Sequence, residues 1–227
     1  MNPRQADGVV LVAALLVMVL MGALGAGLIL ITSSEAMIAA NFRDSQEALH
    51  AADAAAERAM SDVAAVADWS QLLDGAVRSS FVDGPPSGTR TLPDGSILDL
   101  LQVVSLANCH KTTMCSSAEM DAATVDRPWG ANNPQWQLYA YGRLEDVLPN
   151  TFVDSPYYAV VLVADDPSEN DNDPRRDGGA GNPGAGIVAL RAQVFGPRSA
   201  HKMVELTLAR TSRGGIRVLS WRLAPSS

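Results

Sequence analysis

The stretch Met1-Asn2-Pro3-Arg4-Gln5-Ala6-Asp7-Gly8, followed without a break by the apolar run VVLVAALLVMVLMGALGAGLILI over residues 9–31, decides how this chain is read. At about 1.5 Å per residue the run reaches about 35 Å as a helix, slightly more than the roughly 30 Å hydrocarbon core of a bilayer. A secretory signal has an apolar segment of about 7 to 15 residues and a small-x-small cleavage site. This run is longer, and Leu28 to Ser34 contains no such site. The segment is therefore read as a membrane-spanning helix. The glycine trio Gly22, Gly25 and Gly27 is either a weak point in it or a face for close helix packing, since small residues four apart let helices approach.

The helical pattern does not stop at the apolar boundary. Ser34 to Ala67 holds no glycine and no proline and is rich in alanine, the best helix former. One helix is expected from Val9 to about Ala67. In its outer half Phe42, Leu49, Ala56 and Val63 recur at every seventh position, with Ala52, Ala59 and Val66 filling the second seam. Such a stripe needs something to pack against. Arg43, Asp44, Glu47, Asp53, Glu57, Arg58 and Asp62 fall mostly off it and read as a solvated face.

A polar leader ending in glycine, an apolar helix, an amphipathic extension and a β-rich remainder resemble the layout of type IV pilins and of type II secretion pseudopilins. Arg4-Gln5-Ala6-Asp7-Gly8 followed by Val9-Val10-Leu11-Val12-Ala13 is similar to the leader and mature start of PilX-type minor pilins. Asn41-Phe42-Arg43-Asp44 ahead of Ala51-Ala52-Asp53-Ala54-Ala55 matches two further patches of that family. The resemblance implies cleavage by a prepilin peptidase between Gly8 and Val9 and methylation of the new amine. It also implies local unwinding near the glycine trio on extraction from the membrane. Major pilins carry a glutamate at the fifth mature position, and this chain has Ala13 there. A subunit without that carboxylate is poorly suited to repeat along a shaft, where an unpaired ammonium would be buried. A place at the tip, or a permanent membrane anchor that avoids a buried charge, would explain the alanine.

The remaining sequence, about 160 residues, is long enough for one domain with its own core. Gly84-Pro85-Pro86-Ser87-Gly88 and Pro93-Asp94-Gly95 mark a connector over Trp69 to Asp94. Strands are expected at Ile97–Ser105, Gln135–Arg143, Tyr157–Ala164, Ile187–Phe195, Met203–Arg210 and Ile216–Leu223. Their alternation suits an antiparallel sheet whose core the helical stripe would close, and Gly214-Gly215 suits a tight connection between the last two strands. The net charge of −8 and the pI near 4.8 argue against nucleic acid as a partner. Arg210, Arg213, Arg217 and Arg222 are spread over probable strands and read as solvated strand residues.

Cys109 and Cys115 suit a disulfide in a domain carried across a membrane into an oxidising compartment. A metal reading would recruit His110 but lacks a fourth ligand at a familiar spacing, and free thiols are the remaining alternative. The loop from Asp165 to Pro174 offers hard oxygen ligands. Asp165, Asp166, Glu169, Asp171 and Asp173 are its candidates for calcium or a partner, although the central glycine and terminal glutamate of a calcium hand are missing. A solvated acidic insertion is the plainer reading, and Arg175 to Gly184 beside it reads as disorder. The histidines His50, His110 and His201 sit near no nucleophile motif, and no phosphate-binding glycine loop follows a strand.

The expectation is an α+β, pilin-like chain that is not an enzyme and needs no cofactor other than the calcium just weighed. Its parts are a leader at 1–8, a transmembrane helix half at 9–32, an amphipathic half at 33–67 and a β-rich head at 68–227. By resemblance it is a minor pilin that primes type IV pilus assembly and sits at or near the tip. Its partners would be other minor pilins, the major pilin, a tip adhesin, the prepilin peptidase and the bacterial inner membrane. The N-terminus would be cytoplasmic and the head periplasmic, or extracellular in the assembled pilus. A K-type minor pseudopilin and a membrane-anchored binding or adhesive module are the alternatives.

Overall fold

The computed structural model describes residues 3–148, 154–178 and 183–225, with side chains from Val9 onward. Met1 and Asn2 of the leader, and Gly179 to Asn182 of the segment read as disorder, lie outside the described residues. The chain divides into two compact units, Met1–Asp44 and Ser45–Ser227.

One helix, α1, runs from Pro3 to Ala65. Within the first unit it is uninterrupted, and Gly22, Gly25 and Gly27 are helical with nothing near the position a side chain would take. The helix is long and apolar enough to cross a membrane. Just past the apolar run, the hydroxyls of Thr32, Ser33 and Ser34 donate back to the carbonyls of Leu28 and Leu30, so these hydroxyls need no other partner.

In the second unit α1 covers one face of a sheet. The short helix α2 (Ser70–Leu73) follows, then a hairpin of β1 (Thr89–Thr91) and β2 (Ile97–Asp99), and helices α3 (Leu100–Cys109) and α4 (Ser117–Met120). The main sheet is β3 (Gln137–Arg143), β4 (Tyr158–Asp165), β5 (Ile187–Gly196), β6 (Ala200–Arg210) and β7 (Ile216–Ala224). Its order is β3-β4-β5-β6-β7 with every neighbour antiparallel, a meander in which each strand pairs with the next along the chain.

Two cores flank this sheet. On the first face Ala48, Ala51, Ala52, Ala55, Ala56, Ala59 and Val63 of α1 meet Val161, Val163, Leu190, Val194, Leu206 and Leu208. Alanine at these positions lets the helix backbone lie close to the sheet, where a larger side chain would overpack. On the second face Leu100, Val103 and Ala107 of α3 meet Trp136, Leu138, Tyr141, Val160 and Leu162. Interior strand β4 is buried at every position because it is covered on both sides.

Of the expected stripe, Ala56 and Val63 are fully buried and Leu49 is partly buried against the core, whereas Phe42 is 66% exposed. Burial along α1 begins only at Ala48. A repeat tells which side of a helix a residue lies on, not whether anything covers it.

The expected strand Ile97–Ser105 is a correction: only Ile97–Asp99 is strand, and α3 starts at Leu100. The side chain of Asp99 accepts from the Leu101 amide and caps the new helix, and His110 ends it in the left-handed conformation at φ 57°. Leu100, Val103 and Ala107 then fall on one helical face.

Candidate functional site

The N-terminal junction comes first. Gly8 and Val9 both lie within α1, and Val9 is 70% exposed. From Val9 to Ile38 every large apolar side chain of the helix is exposed, and no residue up to Glu47 is buried. Exposed apolar surface on that scale needs lipid or other chains to cover it.

Where α1 ends, carbonyls of its last turn and of the two residues that follow it are met by groups from elsewhere in the second unit. The Trp69 indole donates to Val63 O at 3.2 Å, and Arg210 donates to Ala67 O at 2.7 Å and Val66 O at 3.2 Å. The Arg210 guanidinium lies over the Trp69 ring at 4.4 Å. A cation at a helix C-terminus is favourable and satisfies carbonyls that have no helical partner. Arg210, read from sequence as a solvated strand residue, is thus a clamp on the helix end. Arg58 and Asp62 are also corrected: they are only about a fifth exposed and pair at 3.3 Å. Arg58 donates to Val147 O and Ser80 Oγ, and the Ser79 hydroxyl bonds Asp62. The supposed wet face of α1 therefore ties the helix to the sequence that follows it.

Cys109 and Cys115 form a disulfide that ties the end of α3 to the segment leading into α4. Next to it, the side chains of Ser116 and Glu119 cap one another's backbone at the start of α4.

The acidic loop is built differently from a solvated insertion. Asp165 is 3% exposed and Glu169 is fully buried. Burial, reinforced by the Glu169 charge, pushes the Asp165 carboxyl up to about 8, and burial likewise raises Glu169 and Asp177. Protonation makes such burial tolerable. Asp166, Asp171 and Asp173 instead accept from the amides of Ser168, Asp173 and Arg175, turning the loop on itself. Asn132 pins it from outside: its amide donates to Pro167 O and Glu169 O, and its oxygen accepts from the Asn172 amide. Gly184 passes so close that a β-carbon there would meet Glu169 at 2.5 Å. Among the described residues, no three histidine, cysteine, aspartate or glutamate side chains form a group that could hold a metal ion.

A cavity of about 450 Å³ opens on the α3 face of the sheet. Its walls include Arg127, Trp129, Trp136, Arg191, Glu205 and Arg222. Arg191 lies over the Trp136 ring at 4.3 Å and pairs with Glu205 at 2.7 Å, and Arg222 holds the other oxygen of Glu205 at 2.5 Å. These residues face one another because Arg191 is opposite Glu205 on β5–β6 and Glu205 is opposite Arg222 on β6–β7. They stand far apart in the chain, and only the strand register joins them.

No protein-family model, no curated protein and no solved structure matches this chain.

Proposed function

We propose that this chain is a minor pilin, or a close functional equivalent, that is cut between Gly8 and Val9 and held in a bacterial inner membrane by the first half of α1. It then joins other minor pilins in a complex that primes filament assembly and caps its tip. The observation that carries the reading is the single helix Pro3–Ala65, with an uncovered apolar half and an alanine-faced half embedded in a five-stranded antiparallel sheet. Lipid covers the apolar half before assembly, and neighbouring helices, including the major pilin's, cover it afterwards. The alanine-faced half of the helix, seated on the sheet, anchors the head's own core. A large tip adhesin is the partner this arrangement would present outward.

The head also favours this reading over a K-type pseudopilin, which usually carries a large inserted helical domain. Among the described residues of the second unit, the helices after α1 are no longer than the ten residues of α3. The test is mass spectrometry of the N-terminus of the membrane-borne protein, with and without the host prepilin peptidase. A chain starting at methylated Val9 only when the peptidase is present is the expected outcome. An intact leader in both strains overturns the proposal and leaves a membrane-anchored binding protein.

A further inference from the structure

We propose that the cavity on the α3 face binds an acidic sugar, with the carboxylate at the arginines and the ring against Trp129. The argument begins with Arg127, which is only 8% exposed. Its Nη2 donates to Met120 O at 3.1 Å and Pro134 O at 2.8 Å, while Nε and Nη1 are buried and make no hydrogen bond among the described residues. No carboxylate there lies within ion-pair distance of it. A guanidinium does not shed its proton under ordinary conditions, so this buried charge lacks a direct ion-pair partner and only the more distant Asp121 carboxylate favours it. Burial and the nearby charge of Arg191 both act against it.

Arg191 and Arg222 cannot help, since both lean on the single carboxylate of Glu205. Three guanidiniums thus line one cavity with three carboxylates, of which only Glu205 is paired with them, and an incoming carboxylate would meet a fork geometry suited to it. The Arg222 side chain is 73% exposed and available at the rim.

Other wall groups select among anions. Asp126 and Asp166 also line the cavity, so a dianion such as a phosphate ester, or a run of acidic peptide, meets like charge. A monoanion rich in hydroxyls meets less of it, and those two carboxylates can accept its hydroxyl hydrogens. Thr207 and Ser220, whose hydroxyls bond each other at 3.0 Å, add further polar groups to the wall. Trp136 is already covered by Arg191, but Trp129 is 45% exposed and offers an aromatic surface on which a sugar ring can rest. A cavity of 450 Å³ is of the size that holds one or two sugar units.

The test titrates the full chain in detergent micelles with sodium D-glucuronate, D-glucose, sodium acetate and triglutamate, read by calorimetry and tryptophan fluorescence. Glucuronate is expected to bind saturably, with glucose and acetate each weaker by roughly tenfold or more. Arg127→Gln and Trp129→Ala are each expected to weaken glucuronate by roughly tenfold. Should Arg127→Gln lower the melting temperature, Arg222→Gln, at an exposed side chain, takes its place with the same expectation. Glucuronate binding no tighter than glucose, or unmoved by the rim variants, overturns the proposal. Triglutamate binding tighter than glucuronate overturns it in favour of an acidic peptide. The outcome does not depend on whether the N-terminus is processed.

Discussion

The two halves of α1 solve the same chemical problem in opposite ways. Up to Asp44 the helix exposes valine, leucine, isoleucine and methionine along its whole length; from Ala48 onward it buries mainly alanine. The more hydrophobic half is thus the uncovered one. Burial is decided by what is available to cover a surface, and a sheet can approach a helix closely only where the side chains between them are small. The first half carries large side chains suited to fluid lipid or to several neighbours, and the second carries the small ones that a fixed sheet demands.

The sharpest way to break this comparison is to place one charge in each half. Val63→Asp is expected to unfold the second unit, at a cost of at least about 4 kcal/mol, because it buries a carboxylate in a fully covered site. Leu16→Asp is expected to leave the melting of that unit unchanged and instead to lower membrane insertion by about 3 kcal/mol. Thermal melts in detergent and alkaline extraction from membranes read the two effects. Equal loss of melting temperature in both variants would refute the division.

Arg210→Ala comes next. It strips two charge-assisted bonds from the end of α1 and the stack on Trp69, and about 2 to 3 kcal/mol of stability is expected to go with them. Denaturant unfolding of the full chain measures it, and a loss under about 0.5 kcal/mol would show that the clamp is decorative.

A third prediction uses pH. The folded Asp165 carboxyl titrates near 8, above its unfolded value of 3.8, so its stabilising protonated form is lost as pH rises. Between about pH 6.5 and about pH 8.5, stability is expected to fall by about 2 kcal/mol from Asp165 alone; the upward shifts of Glu169 and Asp177 have the same sign. His201, which burial holds below its usual 6.5, acts in the opposite sense only below that window. Asp165→Asn is expected to flatten the slope, and an unchanged slope in that variant would move the effect elsewhere. The smallest effect is Phe42→Ala, expected within about 0.5 kcal/mol of wild type, since the ring is exposed in the first unit.

Much of this architecture was legible in residue order. The five strands of the main sheet are legible within a few residues because each shows alternation or a bounded apolar run, and the two cysteines form the disulfide expected of a domain beyond a membrane. The segment 97–105 was misread because Leu100, Leu101, Val103 and Val104 satisfy strand and helix patterns alike, and the choice fell to the Asp99 cap. Arg58, Asp62 and Arg210 look solvated in the sequence because charge alone does not reveal a waiting carbonyl or hydroxyl. Asp165 and Glu169 mislead in the same way, since a buried carboxyl looks no different in sequence from one that is wet.

Local chemistry by itself determined the long helix, its apolar length and the alternating strands, because propensity and periodicity act over a few neighbouring residues. Only the tertiary structure decided which helical positions are covered, that Arg210 closes α1, and that Arg127, Arg191 and Arg222 share one cavity. Those groups are separated along the chain by tens of residues: the antiparallel register brings Arg191 and Arg222 to one carboxylate, and the packing of the segment ahead of β3 against the sheet adds Arg127 to the same cavity.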